Sequence, residues 1–414
     1  PRPAAAKAAA TSASAAAPAG DDVATSAAGA GARWRRQGQA AAPEGSSESA
    51  AKVCNGGGAT AAVDSSGRPA SGHEQISPSS TVPLRSGLLV PCLGFGTRGL
   101  KPGGECRDAV RVALRAGYRL VDTAASYANE EDVAQGIRAA CLKREDVFLV
   151  TKLAPADHGD IDDVREALEA SLRRLDTSYI DLYLIQTPKG GSVLDTWDAM
   201  LQLRSAGLAR AVGVSNFGPQ LLAALVAEGR EAPEVAQAEV HFAGQQRPFA
   251  TQCSRAGIAV MAAAPLAGGR LFGARTELGG LAARKGRTEA EVALRWALQR
   301  GFVVTPRSKD PKRIEANAPF GFWLTPRDMA DVEALDRGFA SSTSAAKAMQ
   351  MPWEAAIEEL SEVSDDGADE GKGGQRRRRR RKRKGKGKGK GQGKGAGAAS
   401  GGGGAKGGGG GRGG

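Results

Sequence analysis

The sequence contains few aromatic residues, few histidines and no long hydrophobic run. Phe, Trp and Tyr make up 5% of its 414 residues, and there are 3 His and 5 Cys. The cysteines form no CxxC pair, which argues against a disulfide framework or a zinc site, so we assign no metal ligand and expect a reducing, cytoplasmic location. The longest apolar stretch, Ile258 to Ala267, is far shorter than the ~18 residues that cross a bilayer, so no membrane partner is expected.

Residues 1–80 lack Leu, Phe and Tyr entirely and are rich in Ala, Ser, Gly and Pro. Such a segment buries too little apolar surface to offset its ordering entropy, and we predict a disordered leader. The sequence begins at Pro1 rather than Met, so we expect a fragment or a processed form. Arg33, Arg35 and Arg36 among Ala and Ser resemble an organelle transit remnant, which leaves plastid or mitochondrial import as an alternative.

The net charge of +12 comes from the carboxyl-terminal end. Residues 371–414 contain 16 Lys or Arg and no acidic residue, so the remaining chain carries −4. We predict an acidic linker over 341–370, with a short helix between Met351 and Leu360, and a disordered tail over 371–414. The unbroken basic run from Arg376 to Lys384 suits nonspecific binding to nucleic-acid phosphates or nuclear import, because no aromatic residue offers a stacking platform. The alternative is a solvated tail that folds back on the acidic stretch.

Between residues 81 and 340, short apolar runs alternate with segments of helical period, which is typical of parallel βα units. Helical faces recur at Val164, Leu168, Leu172 and Leu175, and again at Leu194, Trp197 and Leu201. Capping-box spacings predict that helices begin at Thr288 and at Thr325. Eight strands are predicted: Leu93 to Gly96, Leu120 to Asp122, Val147 to Thr151, Leu182 to Ile185, Ala211 to Val214, Val235 to Ala238, Ala259 to Ala262 and Phe302 to Thr305.

Eight such pairs match an α/β fold of the (β/α)8 TIM barrel type, in which the active site lies at the carboxyl ends of the strands. A doubly wound open sheet is the alternative, because residues 94–99 satisfy the GxGxxG pattern. That fingerprint needs a helix opening at its glycines. Here Pro102, Gly103 and Gly104 keep the chain irregular until about Glu105, so the barrel is favoured.

Three polar residues follow neighbouring predicted strands and suggest proton-transfer chemistry. Asp122 ends the second strand, Tyr127 follows five residues later, and Lys152 comes directly after the third strand. An ammonium beside a phenol stabilises the phenolate and makes the phenol a usable acid near neutral pH. A carboxylate such as Asp122 would orient the lysine. Taken alone, the same residues would equally suit a structural ion pair with Tyr127 covering an apolar patch.

Five motifs in order along the chain resemble those of the aldo-keto reductases, from about Thr81 to Asp336. They are GYRLVDTAASYANEE (117–131), REDVFLVTKL (144–153), DLYLI (181–185), GVSNF (213–217) and TPRS (305–308). The resemblance implies an NADPH-dependent oxidoreductase that reduces a small-molecule aldehyde or ketone to an alcohol. It also implies that Tyr127 is the proton donor, supported by Asp122 and Lys152.

The resemblance further implies the residues that bind NADP(H). Ser215, Asn216 and Gln237 would hold the nicotinamide carboxamide, and Gly96 and Thr97 follow the first strand at the same rim. In the last βα loop, four residues would bind the adenosine half: Arg307, Ser308, Arg313 and Asn317. Guanidinium groups bind a 2′-phosphate bidentately, which favours NADP(H) over NAD(H). The alternatives are loop caps for the first set and a solvated basic loop for the second.

The sequence departs from the family pattern at three site positions. Gln186 stands where the family has a catalytic His; its amide can donate a hydrogen bond to a carbonyl oxygen but cannot titrate. Ala263 replaces an aromatic ring that stacks on nicotinamide, and Ala154 replaces a Trp of the substrate loop. These changes leave a second interpretation open, a weakly active NADPH-binding sensor. His158 is expected at the surface or the pocket rim, and His241 is expected to be structural.

Overall fold

Eight parallel strands form a closed cylinder at the positions that the sequence predicts. The computed structural model describes residues 76–273 and 276–357. The strands are β1 Thr81–Pro83, β2 Leu89–Pro91, β3 Gly94–Gly96, β4 Leu120–Asp122, β5 Phe148–Leu153, β6 Ile180–Ile185, β7 Ala209–Ser215, β8 Val235–Glu239, β9 Ala259–Ala263 and β10 Val303–Thr305. The first two are antiparallel, and β3 to β10 form the barrel. The predicted (β/α)8 fold is confirmed.

Helices alternate with the barrel strands and cover them. The helices are α1 Glu105–Arg115, α2 Glu130–Ala139, α3 Ile161–Leu175, α4 Val193–Ser205, α5 Pro219–Ala227, α6 Arg247–Arg255, α7 Glu277–Lys285, α8 Glu289–Gln299, α9 Pro311–Ala316, α10 Pro326–Glu333, α11 Thr343–Met349 and α12 Trp353–Ile357. Thr288 and Thr325 form the capping boxes that the spacing predicts. Because α1 begins only at Glu105, the GxGxxG segment opens no helix.

The barrel closes between its first and last strands. A parallel bridge joins Leu93 to Val304, and the N–H of Gly96 donates to the carbonyl oxygen of Pro306 at 3.0 Å. All eight strands therefore have two neighbours, which rules out the open-sheet alternative.

The β1–β2 hairpin, which the sequence analysis did not predict, covers the amino-terminal mouth of the barrel. Leu84 and Val90 are buried in the same apolar cluster as Leu120, Leu182 and Met261 from inside the cylinder. The hairpin thus seals the end opposite to the predicted site.

The buried faces of helices α3 and α4 can be compared with the apolar spacing in their sequences. Val164, Leu168, Leu172 and Leu175 of α3 are all buried, as their spacing predicts. In α4 the buried face is instead centred on Trp197 and Met200, while Leu194 and Leu201 are only partly buried. The indole of Trp197 also donates to the carbonyl oxygen of Glu231 at 3.0 Å, which joins this face to the segment before β8.

The carboxyl-terminal segment packs against the barrel. Helix α12 lies where the short helix is predicted, and it contacts α4 and α5. Gly218 permits the close approach of the preceding helix α11, since a Cβ there would lie 1.8 Å from the carbonyl oxygen of Met349, the last residue of α11. Within the described ranges, no helix has the length and apolar character to cross a membrane. The predicted leader before residue 76, the rest of the acidic linker and the basic run Arg376 to Lys384 lie outside the described residues.

Candidate active site

Tyr127, Lys152 and Asp122 come together at the carboxyl rim of the barrel. Asp122 ends β4, and Lys152 lies on the adjacent β5, so both point inward from paired strands. The Lys152 ammonium forms an ion pair with Asp122 Oδ1 and donates to the carbonyl oxygen of Thr123 at 2.9 Å. Its Nζ lies 5.2 Å from the centre of the Tyr127 ring, which a one-turn helix over Ala125–Tyr127 presents.

The charge of Lys152 is stabilised although the side chain is only 1% exposed. Burial acts to lower the pKa of this ammonium, but the negative charge of Asp122 and the phenol of Tyr127 together outweigh it. The pKa of Lys152 is therefore raised above its usual range. The lysine remains a cation at neutral pH and can stabilise negative charge on the neighbouring phenol.

Gln186 lies directly after β6, beside the turn that carries Tyr127. The hydroxyl of Ser126 donates to Gln186 Oε1 at 2.9 Å. Asn216 Nδ2 donates to the carbonyl oxygen of Gln186 at 2.9 Å. The position that departs from the family pattern therefore lies in the same rim as the other predicted residues. Sequence reasoning missed Ser126, which carried no signal beyond its place next to Tyr127.

The three residues predicted to hold the carboxamide form a connected cluster. Ser215 Oγ lies 3.4 Å from Gln237 Oε1, and Asn216 Nδ2 donates to Ser215 Oγ at 3.2 Å. Gln237 Nε2 donates to Asp122 Oδ2 at 3.1 Å, which ties this cluster to the Asp122–Lys152 pair. The cluster holds both amide donors and acceptors, so its chemistry fits a primary carboxamide.

A second missed residue, Asn129, joins the loops of this rim. It is 1% exposed, and its Nδ2 donates to the carbonyl oxygens of Thr97 and Leu100 at 3.0 and 3.1 Å. Its Oδ1 accepts from the hydroxyl of Thr123. Asn129 thereby fixes the loop after β3, where Gly96 and Thr97 were expected to contact the cofactor. Asn129 lies inside the first of the five motifs, residues 117–131, and this position was the indication in the sequence that it belongs to the site.

The last βα loop and α9 present cations around a buried hydroxyl. Arg307 and Arg313 are exposed, whereas Ser308 and Asn317 are buried. Arg313 makes one ion pair, at 3.3 Å with Asp310 of the same loop. Two exposed guanidinium groups beside a serine hydroxyl are a suitable donor set for a phosphate monoester.

The structure buries His158, His241 and three of the described cysteines, Cys92, Cys106 and Cys253. His158 is 5% exposed and lies against Gly191 of the loop after β6, so the expectation of a surface position is wrong. The other expectation, a position at the pocket rim, stays a prediction. His241 is fully buried and pairs with Glu239 at 3.1 Å. Burial raises the pKa of the Cys106 and Cys253 thiols to about 12, so neither is a thiolate at neutral pH. Among the described residues, no group of three or more potential ligands could hold a metal ion.

Comparison with known proteins gives one consistent family. The family model described as "Aldo/keto reductase family" matches residues 93–337. An aldo-keto reductase of Mycobacterium sp. (strain MCS) is 39% identical over 261 residues, covering 62% of this chain and 91% of that protein. A glyoxal reductase of Bacillus subtilis (strain 168) is 38% identical over 258 residues, covering 62% and 93%.

Solved structures agree with this result. The Bombyx mori aldo-keto reductase in complex with NADP has a TM-score of 0.60 and 32% identity, and the match covers 66% of this chain and 98% of that one. An aldo-keto reductase from a deep-sea metagenome library also has a TM-score of 0.60, with 34% identity over 63% of this chain and 96% of that one. The chain therefore belongs to the aldo/keto reductase family, whose members are oxidoreductases that use NADP(H).

Proposed function

We propose that this protein reduces a small aldehyde or ketone to an alcohol with NADPH, and that Tyr127 is the proton donor. The observation that carries the proposal is the position of the Tyr127 ring 5.2 Å from the buried Lys152 ammonium, which Asp122 holds in place. A phenol next to a fixed cation is poised to give up its proton. The Bacillus subtilis relative, named a glyoxal reductase, suggests small carbonyl compounds as the first substrates to test.

The chain's own residues handle the proton and the orientation of the carbonyl. NADPH, when bound, supplies the hydride that adds to the carbonyl carbon. Tyr127 gives its hydroxyl proton to the carbonyl oxygen, so that an alcohol forms and a phenolate remains until solvent reprotonates it. Lys152 stabilises that phenolate, and Asp122 keeps the lysine charged and in place. Gln186 donates a hydrogen bond that orients the carbonyl.

Two groups of residues would hold the cofactor. Ser215, Asn216 and Gln237 would bind the carboxamide and so select which face of the nicotinamide ring meets the substrate. Arg307 and Arg313 would bind the 2′-phosphate, with Ser308 between them and Asn317 toward the adenine. Charge-assisted hydrogen bonds of this kind contribute about 1.5–3 kcal/mol each, and NADH lacks the phosphate that makes them.

The function is tested by following NADPH oxidation with glyoxal, simple aldehydes and quinones. We expect Tyr127→Phe to abolish turnover while NADPH still quenches tryptophan fluorescence with unchanged affinity. Tyr179→Phe is the matched control, because Tyr179 packs on Arg144 away from the site and should keep full activity. Turnover that survives in Tyr127→Phe would contradict the proposed proton donor.

The cofactor assignment has its own test. Arg313→Ala should weaken NADPH binding about tenfold or more, from the loss of one charge-assisted contact, and leave NADH binding nearly unchanged. Lys312→Ala, on the adjacent exposed position of α9, is the control and should alter neither. Equal weakening of both cofactors by Arg313→Ala would argue against a 2′-phosphate contact.

Gln186 and Ala263 favour a second candidate, a protein that binds NADPH as a redox sensor and turns over slowly. The aldehyde reduction rate of Gln186→His distinguishes an active reductase from such a sensor. An increase of aldehyde reduction by orders of magnitude would show that the natural chain is catalytically impaired. An unchanged rate would show that the Gln186 amide already serves the reaction or is irrelevant to it.

A further inference from the structure

The side chain of Gln186 is held at one end only. Its backbone is fixed from two sides, since its N–H donates to the carbonyl oxygen of Leu153 at 3.2 Å and its carbonyl oxygen accepts from Asn216. In the side chain, Oε1 accepts from the hydroxyl of Ser126 at 2.9 Å. Within residues 76–273 and 276–357, Nε2 has no hydrogen-bond partner. The donor end of the amide is therefore available to a ligand.

Ser126 and Tyr127 are consecutive residues of the same short helix after β4. The hydrogen bond from Ser126 thus ties Gln186, which follows β6, to the turn after β4 that presents the phenol. A carbonyl oxygen has two lone pairs and can accept from the Tyr127 hydroxyl and from an amide N–H together. If the amide rotated by half a turn, the Ser126 hydroxyl could accept from Nε2 instead, but Oε1 would then face the substrate oxygen and repel it.

We propose that Ser126 is a positioning residue that holds the Oε1 end of the Gln186 amide and leaves Nε2 as the donor, so that Gln186 and Tyr127 act on one carbonyl oxygen. This inference rests on the proposed carbonyl reduction. It accounts for how a glutamine can serve at this position. The Ser126 hydroxyl holds the Oε1 end of the amide, and repulsion between Oε1 and the substrate oxygen disfavours the reversed orientation. Since neither Ser126 nor Gln186 titrates near neutral pH, the arrangement keeps its hydrogen bond across that range.

A double-mutant cycle tests the coupling. Ser126→Ala should lower kcat for aldehyde reduction about two- to tenfold, the range for losing one neutral hydrogen bond, with unchanged NADPH affinity. In the Gln186→Ala background, the same substitution should have no further effect. Ser126→Thr keeps the hydroxyl and should restore most of the rate. Ser254→Ala, at an exposed position of α6, is the matched control and should leave kcat unchanged.

An equal loss of kcat in both backgrounds would overturn the inference, because Ser126 would then act through Tyr127. No loss in either background would also overturn it.

A second readout does not depend on turnover. In nitrogen-15 NMR of the full chain, the Gln186 side-chain amide pair is identified by its disappearance in Gln186→Ala. We expect Ser126→Ala to shift or broaden this pair, and Ser126→Thr to leave it near its original position. An unchanged pair in Ser126→Ala would overturn the positioning role. If the wild-type protein reduces none of the carbonyl compounds, the proposed function fails, and the NMR result still decides whether Ser126 positions Gln186.

Discussion

Replacing Asp122 by Asn tests the charge balance on which the whole rim depends. Asp122 accepts from Lys152 on one oxygen and from Gln237 on the other, so both of its oxygens must act as acceptors. An asparagine has only one acceptor end, and its NH2 group must face either the Lys152 ammonium or the Gln237 amide donor. The isosteric substitution therefore removes the charge and also creates a donor-to-donor contact.

The burial of Lys152 and Asp122 determines how much unfolding free energy Asp122→Asn should lose. Lys152 is 1% exposed and Asp122 is 6% exposed, so the lysine loses its counter-charge where water cannot replace it. Breaking such a buried pair costs about 3–5 kcal/mol of unfolding free energy. Asp331→Asn is the matched control, because it removes the same charge from a surface pair with Arg284 and should cost less than about 1 kcal/mol.

The loss of stability in Asp122→Asn should depend on pH, because it arises from the charge on Lys152. In the native chain the pKa of Lys152 is raised, so its stabilising contribution is complete below the unfolded pKa of about 10.4 and is lost as the pH rises through the folded pKa. In Asp122→Asn, burial prevails and the folded pKa falls below the unfolded one. The penalty then declines as the pH rises above that folded pKa, and it disappears only when the lysine is neutral in the unfolded chain as well, above about pH 10.4. The difference between the two proteins should be largest near pH 7 and should shrink above about pH 10.

The assay is urea unfolding followed by tryptophan fluorescence at pH 7 and at pH 10. A loss at pH 7 that is no larger than that of Asp331→Asn would refute the reasoning. So would a difference that grows rather than shrinks at alkaline pH.

Further substitutions test the packing of the helices by the same unfolding measurement. Gly136→Ala should lower the free energy of unfolding by about 1–3 kcal/mol although alanine favours helices, because the new Cβ would lie 2.7 Å from the Cβ of Val110. Gly280→Ala should instead raise it by up to about 1 kcal/mol, because no atom lies nearer than 3.9 Å to the new Cβ. The same sign for both would contradict the packing argument. Thr288→Ala should cost about 1 kcal/mol, since it removes the hydroxyl that caps Glu291 N, and no measurable cost would show that the cap is dispensable.

Most of the fold could be predicted because its signals are local. Strand runs of three to seven residues, the α3 stripe and the two capping boxes each depend on residues close in sequence. The hairpin before the barrel was missed because Thr81–Pro83 and Leu89–Pro91 are short and contain proline. The orientation of α4 was only partly predicted, since its packed face includes contacts to distant segments, such as the hydrogen bond from Trp197 to Glu231, 34 positions away.

By itself, the sequence determined the order of strands and helices and the residue types at the strand ends, because periodicity and motif spacing depend only on residues that are close together in the chain. Only the tertiary structure decided which of those residues meet. Closure of the barrel brings Gln237 to Asp122 across 115 positions, and it places Ser126 against Gln186 across 60. It also buries His158, for which a surface position was one of the two expectations. These contacts depend on strand register and loop packing, which arise only when the eight strands close into one cylinder.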